Sequence, residues 1–151
     1  MKWLWVILLS MMPISELRGA IPLAFKYGLN PYFAIPAIII ANFIPVPFIL
    51  LFLQPVEKWL RKWKFWDNLF DKIFEHTRKK TRKSIEKWES LALIIFVAVP
   101  LPVTGAWTGS LAAYLFGLEF KKSLICIFIG ICIACLIVTT VTAMGIKLLG
   151  I

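Results

Sequence analysis

Glu16 and Arg18 are ionisable residues in the middle of a largely apolar stretch, Ile7 to Leu29. A charged side chain at membrane depth is costly, and such groups usually handle a substrate, an ion or a proton. Withdrawing a carboxylate from water favours its neutral form, so Glu16 is a proton-binding candidate. A guanidinium stays charged and forks onto oxyanions such as phosphate, so Arg18 is an anion-binding candidate. Two blander roles compete. The pair could neutralise each other, or Glu16 could cap a helix that starts near Gly19.

A second apolar stretch, Phe96 to Leu118, is interrupted in the same way. Under a shift of 89 positions Pro13 falls on Pro102, Ser15 on Thr104, Ala24 on Ala113, Phe25 on Tyr114 and Gly28-Leu29 on Gly117-Leu118. Pro13, Pro100 and Pro102 remove helix hydrogen bonds, and glycine permits a sharp reversal. The second break carries hydroxyls and glycine but no charge: Thr104, Gly105, Thr108, Gly109 and Ser110. Hydroxyls and free main-chain N–H groups at a helix N-terminus favour an anion. Substrate or proton binding is therefore expected at Ser15, Glu16, Arg18, Thr104, Gly105, Thr108 and Gly109. Gly105-x-x-x-Gly109 could equally be a close-packing face. Trp107 would wall the site or simply pack beside it. Asn42, a strongly polar side chain inside the next apolar run, is expected to hydrogen-bond between helices.

The elements that must position these residues follow from composition and length. The chain has 151 residues, is 60% hydrophobic and has a mean hydropathy of +0.84. A soluble domain of this size is nearer half apolar, so the reading is an all-α integral membrane protein. The run from Pro31 to Leu53 is 23 residues long, about 34 Å as a helix and enough to span a bilayer. Pro36, Pro45 and Pro47 should kink it. Ser123 to Leu149 reads as a second full span. Each broken stretch instead offers two apolar pieces of about ten residues, roughly 15 Å of helix or half the bilayer core. The economical reading is a re-entrant hairpin, which enters, turns near the midplane and returns to its own side.

The expected architecture is then two inverted repeats, each a re-entrant helical hairpin plus one transmembrane helix. Repeat 1 is residues 1–53, with the hairpin at 3–29 and the span at 31–53. Repeat 2 is residues 90–151, with the hairpin at 90–118 and the span at 123–149. A hairpin returns and a span crosses, so the second repeat starts on the opposite side from the first. Paired interrupted segments in two halves of one membrane chain point to a transport site.

Residues 54–89 join the repeats. They hold 11 of the 17 Lys and Arg residues and six acids, a net +5. Trp59, Trp63, Trp66, Phe70 and Ile73 recur at helical spacing, with Leu60, Leu69 and Phe74 beside them. This predicts a basic amphipathic helix in the cytoplasmic interface. Arg78, Lys79, Lys80, Arg82 and Lys83 would contact anionic lipid headgroups, or act only as topogenic charge on a solvated connector. With the hairpins re-entrant, this side carries 13 cationic residues against 3, so the central loop should be cytoplasmic in a multi-pass plasma-membrane protein. Four kinked full spans would give the same count. Flanking spans make nucleic-acid binding a poor explanation of the basic stretch.

Other chemistry has little support. Cys132 and Cys135 form a C-x-x-C without His, Asp or Glu nearby in their run, so Cys126, Cys132 and Cys135 read as packing residues. His76, the single histidine, lies in the central segment. There is no Walker loop, Gly-x-Ser-x-Gly or His-Glu-x-x-His. No enzyme activity, cofactor or metal is expected. Met1 to Met12 imitates a signal peptide but is followed by no small-x-small cleavage site, so it is read as part of the mature chain.

Ser15-Glu16-Leu17-Arg18-Gly19-Ala20-Ile21-Pro22, followed by Gly28-Leu29-Asn30-Pro31, resembles the opening motif of the family named "putative small multi-drug export protein". Pro100 to Gly109 resembles its second motif, and the likeness covers nearly the whole chain. The pattern is more distantly similar to the DedA/VTT membrane proteins, which have two opposed re-entrant hairpins and are implicated in moving lipid phosphates or scrambling phospholipids. That resemblance implies that Glu16 plays the part of their membrane-embedded acid. Those proteins also carry arginines in the second hairpin, where this chain has none.

The leading expectation is a small membrane transporter, ion-coupled, that exports or flips a lipid-like or amphiphilic substrate and works as a homodimer among membrane lipids. Two full spans enclose a pathway poorly, which is the reason to expect the dimer. The alternative is a non-transporting scaffold or lipid-binding protein acting through the basic segment.

Overall fold

The computed structural model describes residues 1–60, 62, 82–101 and 104–149. Among the described residues every regular element is an α-helix: α1 (Lys2–Met11), α2 (Glu16–Lys26), α3 (Pro31–Phe43), α4 (Pro45–Leu60), α5 (Arg82–Ala98), α6 (Ala106–Leu115) and α7 (Phe120–Leu149). Most of the expected amphipathic helix, His76, Arg78, Lys79, Lys80, Pro102 and the side chains of Arg82 and Lys83 lie outside the described residues.

Helix α1 ends at Met11, one residue after the buried Ser10, and its C-cap Met12 directly precedes Pro13. The chain then reverses, and α2 packs back along α1. The two outer ends meet: the Lys2 ammonium lies 5.8 Å from the centre of the Tyr27 ring. A cation over an aromatic face is attracted by its quadrupole. The first interrupted stretch is thus a helical hairpin. Its inner side is tied to α3 by Ser10, whose hydroxyl donates to the Ile38 carbonyl at 2.8 Å.

The shift of 89 positions persists in hydrogen bonds. At the end of α2, the N–H groups of Tyr27, Gly28 and Leu29 donate to the carbonyls of Leu23, Phe25 and Ala24. At the end of α6, those of Phe116, Gly117 and Leu118 donate to Ala112, Tyr114 and Ala113. Both turns need a left-handed residue, and both place glycine there, Gly28 at φ 65° and Gly117 at φ 70°. The next helices start at matched positions, Pro31 and Phe120. The first start is capped by Asn30, whose side chain accepts the Tyr32 N–H at 3.0 Å, with Pro31 at the first helical position where a missing N–H costs nothing.

Packing repeats as well. Helix α1 contacts α2 and α3, and α5 contacts α6 and α7. The inner hairpin helices then cross over, α2 against α7 and α6 against α4. Where these crossings meet, Leu17, Ala20, Ile21, Leu93, Val97, Ala106, Ile127 and Ile131 form the core.

The long elements differ in detail from the expected spans. The first continues as helix past Pro55 to Leu60 and breaks only at Ile44. Pro45 and Pro47 have no N–H to offer the carbonyls of Ala41 and Phe43, and this explains the break. Pro36 and Pro22 sit inside α3 and α2 without ending them. Helix α5 is already helical at Arg82, before the expected hairpin start at residue 90.

The segments Pro31–Trp59 and Phe120–Leu148 have mean hydropathies of 2.4 and 3.0, yet only 28% and 33% of their most apolar windows are buried. The core helix of a soluble protein would be mostly buried. Here Phe33, Phe48, Leu51, Phe52, Leu136 and Val141 face outwards. Exposed apolar surface on this scale calls for lipid, and the chain is a membrane protein. Cys126, Cys132 and Cys135 are free thiols on α7, two of them buried against the core.

Candidate functional site

The two breaks meet. Glu16, the first residue of α2, is only 6% exposed and points away from its own helix. Its Oε1 accepts the main-chain N–H of Trp107 at 3.4 Å, and the Ala106 N–H faces the same carboxylate. Ala106 and Trp107 are the first two residues of α6. Their N–H groups have no partner within the helix, and the helix dipole puts partial positive charge there. A carboxylate from one hairpin thus caps the inner helix of the other. The cap reaches across 91 positions of sequence; the local cap on a helix beginning near Gly19, one of the blander roles open to Glu16, is not the one it serves.

Gly105 makes this contact possible. Its φ is 169°, extended backbone open to any residue. The constraint is space, because a Cβ built on Gly105 would fall on the Glu16 carboxylate. Glu16 itself has φ 44°, in the left-handed region. That conformation costs a non-glycine residue about 1–2 kcal/mol, and such strain collects at functional sites.

Arg18, two residues on in α2, supports the same junction. Its guanidinium donates to the Thr104 carbonyl and, at 3.2 Å, to the Thr104 hydroxyl. That hydroxyl donates to the Val99 carbonyl at 2.6 Å and accepts the Leu101 N–H at 3.1 Å. Thr104 therefore ties the second break into a compact knot that Arg18 grips. Trp107 adds a third link, its indole N–H donating to the Met11 carbonyl at 3.1 Å. This satisfies one of the carbonyls left open at the end of α1.

The remaining expected site residues divide. Ser110, buried, donates to Ala106 O at 2.6 Å, and Thr108 approaches Gly105 O at 3.5 Å. Both hydroxyl protons turn back onto their own helix. Gly109 faces Val97, whose methyl group occupies the place of a Cβ. Gly130 meets the same valine, with a Cβ there lying 2.6 Å from Val97 Cβ. The two glycines of Gly105-x-x-x-Gly109 thus do different things, one admitting Glu16 and the other a helix contact. Ser15 is half-buried at the N-cap of α2 and makes no side-chain cap bond there. Pro13 is exposed and Pro100 half-buried at the two breaks.

Between the breaks lies a cavity of about 10 Å³, measured to the centre of a water-sized sphere. It is lined by Glu16, Leu17 and Arg18 of α2, Asn42 of α3, Gly105 and Ala106 at the start of α6, and apolar atoms of α5 and α7. Asn42, expected to hydrogen-bond between helices, is fully buried, and neither Oδ1 nor Nδ2 has a hydrogen-bond partner among the described residues. A second feature not foreseen is the Tyr114 hydroxyl, which hydrogen-bonds to the Glu57 carboxylate and joins α6 to α4. The pairing of Tyr114 with Phe25 marked the position, but helical periodicity could not reveal a partner 57 residues away.

The described residues contain no group of three or more His, Cys, Asp or Glu side chains suited to a metal ion. No curated protein and no solved structure matches the chain. A sequence model of the family described as "Putative small multi-drug export protein" matches residues 16–137, from the capping carboxylate through most of α7. Because that match spans well over half of the 151 residues and both breaks, the chain belongs to this family.

Proposed function

We propose that the protein is a small multi-pass membrane transporter in which Glu16 couples substrate movement to a proton. The observation that carries this reading is the Glu16 carboxylate at the α6 N-terminus. In its ionised form Glu16 holds the Ala106 and Trp107 N–H groups and pins the two hairpins together. A proton on Glu16 weakens that cap, since a neutral acid is a poorer acceptor. The released N–H groups and the Arg18 guanidinium would then hold the anionic or polar head of an amphiphile. Deprotonation restores the cap and expels the head. The family description, which refers to export, supports the direction. The substrate class is a lipid-like or amphiphilic molecule, lipid phosphates among them. No enzymatic step or cofactor is part of the mechanism.

In this reading the hairpins are re-entrant and the repeats inverted. Helices α1, α2 and α6 have 10, 11 and 10 residues, about 15 Å each and half the bilayer core. The Lys2–Tyr27 contact supports return to the starting side, because a kinked full span would place those residues on opposite faces. The central basic segment is cytoplasmic by its charge, and Arg78, Lys79, Lys80, Arg82 and Lys83 meet anionic headgroups there. Two copies form the working unit.

Transport of a fluorescent amphiphile or lipid across proteoliposomes under a pH gradient tests the assignment. Glu16→Gln and Arg18→Ala should each slow it at least tenfold. Both variants moving substrate at the wild-type rate would sink it. Single cysteines along residues 14–20 and 104–108 should label from opposite sides of the membrane.

A further inference from the structure

We propose that Asn42 is part of the Glu16 site, and that the two side chains share one buried water molecule. Asn42 is fully buried and both its polar atoms lack a partner among the described residues. Leaving a buried amide unsatisfied is costly, and buried polar groups almost always find a protein or water partner. The cavity that Asn42 lines also contains Glu16 and Arg18. Its volume of about 10 Å³ is close to the least that holds one water, and polar lining is the other requirement.

Charge and size decide the occupant. The cavity is too small for an organic ion. Of its lining residues only Glu16 and Arg18 are charged. The Arg18 charge and the positive end of the α6 dipole together offset the carboxylate, so a metal cation gains little. The carboxylate repels an anion. A neutral molecule that both donates and accepts fits what remains: it can accept from Asn42 Nδ2, donate to Asn42 Oδ1 and donate to Glu16.

Position in the repeat strengthens the assignment. Under the shift of 89 positions Glu16 falls on Gly105, Leu17 on Ala106 and Asn42 on Ile131. All six residues line this cavity. It therefore lies where matched positions of the two halves face each other, and its fixed polar side chains come from the first half alone. Asn42 acts as a positioning residue. Through the water it orients the carboxylate that caps α6, and it keeps that carboxylate hydrated while buried. The consequence for proton exchange rests on the proposed role of Glu16 as proton carrier; the water site does not.

Infrared difference spectra between acid and alkaline pH, recorded on the full-length protein in lipid nanodiscs, test this without any transport measurement. In wild-type protein a water O–H band should shift when H₂¹⁶O is replaced by H₂¹⁸O, and it should vanish with E16Q. Asn42→Leu should abolish the band and move the Glu16 carboxyl band, while Asn42→Ser should restore the water band. A wild-type spectrum that shows the Glu16 carboxyl band but no ¹⁸O-sensitive water band would overturn the proposal and needs no variant to fold. So would a band that Asn42→Leu leaves unchanged. A Glu16 band responding to sodium or potassium but not to ¹⁸O would replace water by a cation. Proteoliposome flux is read separately, so failure of the transport reading stays distinguishable.

Discussion

Glu16 and Gly105 are in such close contact that a Cβ on the glycine would coincide with the carboxylate. They lie at matched positions of the two halves, so the residue that brings charge to one break faces its own counterpart, stripped of any side chain. Charge and the space for it are divided between the repeats.

This contact predicts the behaviour of Gly105→Ala. The added methyl must displace the carboxylate or move the start of α6, an overpacking cost of about 1–3 kcal/mol. The expected result is a lower unfolding temperature in detergent and loss of transport. Combining it with Glu16→Ala should recover the stability but not the transport. Thermal melts of the four proteins in the cycle check this.

Arg18→Met keeps most of the stem but removes the bonds to Thr104. Charged hydrogen bonds contribute about 1.5–3 kcal/mol each when fully formed, and a half-buried one less. The second break should loosen, which proteolysis or hydrogen exchange at residues 99–106 would register as faster opening. Unchanged exchange there would mean that Arg18 does not hold the knot.

Val97 sits between Gly109 and Gly130. Gly130→Ala should destabilise by about 1–3 kcal/mol through overpacking of α5 against α7. Val97→Ala in the same chain should relieve much of that loss. The suppression is measured by thermal unfolding, and its absence would show that the helices contact differently.

Gly28 and Gly117 share a left-handed φ, and at each the place a Cβ would take has no neighbour within 4 Å. Alanine should cost about 1–2 kcal/mol at each, from backbone conformation alone. Asparagine should cost less, because it tolerates this region better. Equal losses at the two sites, read from thermal unfolding, would confirm that the turns are equivalent; a twofold or larger disparity would count against it.

Much of this arrangement was legible in the residues. Proline acts on the backbone within a turn of where it stands, so Pro13 and Pro45 announced their breaks directly. The shift of 89 positions located both hairpin ends, because the same local chemistry recurs at each. Apolar run length established the long helices and the membrane setting, since burial in lipid depends on composition more than on partners. Glu16 and Arg18 stood out because charge is rare in such a run. What tertiary structure decided was the direction in which each of these groups points. Glu16 caps α6 and not α2, Arg18 grips Thr104, Gly109 serves Val97, and Asn42 lines the same small cavity as Glu16. These contacts join elements far apart in sequence, and periodicity of 2 or 3.6 carries no information at that separation. They exist only because the two hairpins cross the opposite long helices and bring their breaks to one point in the core.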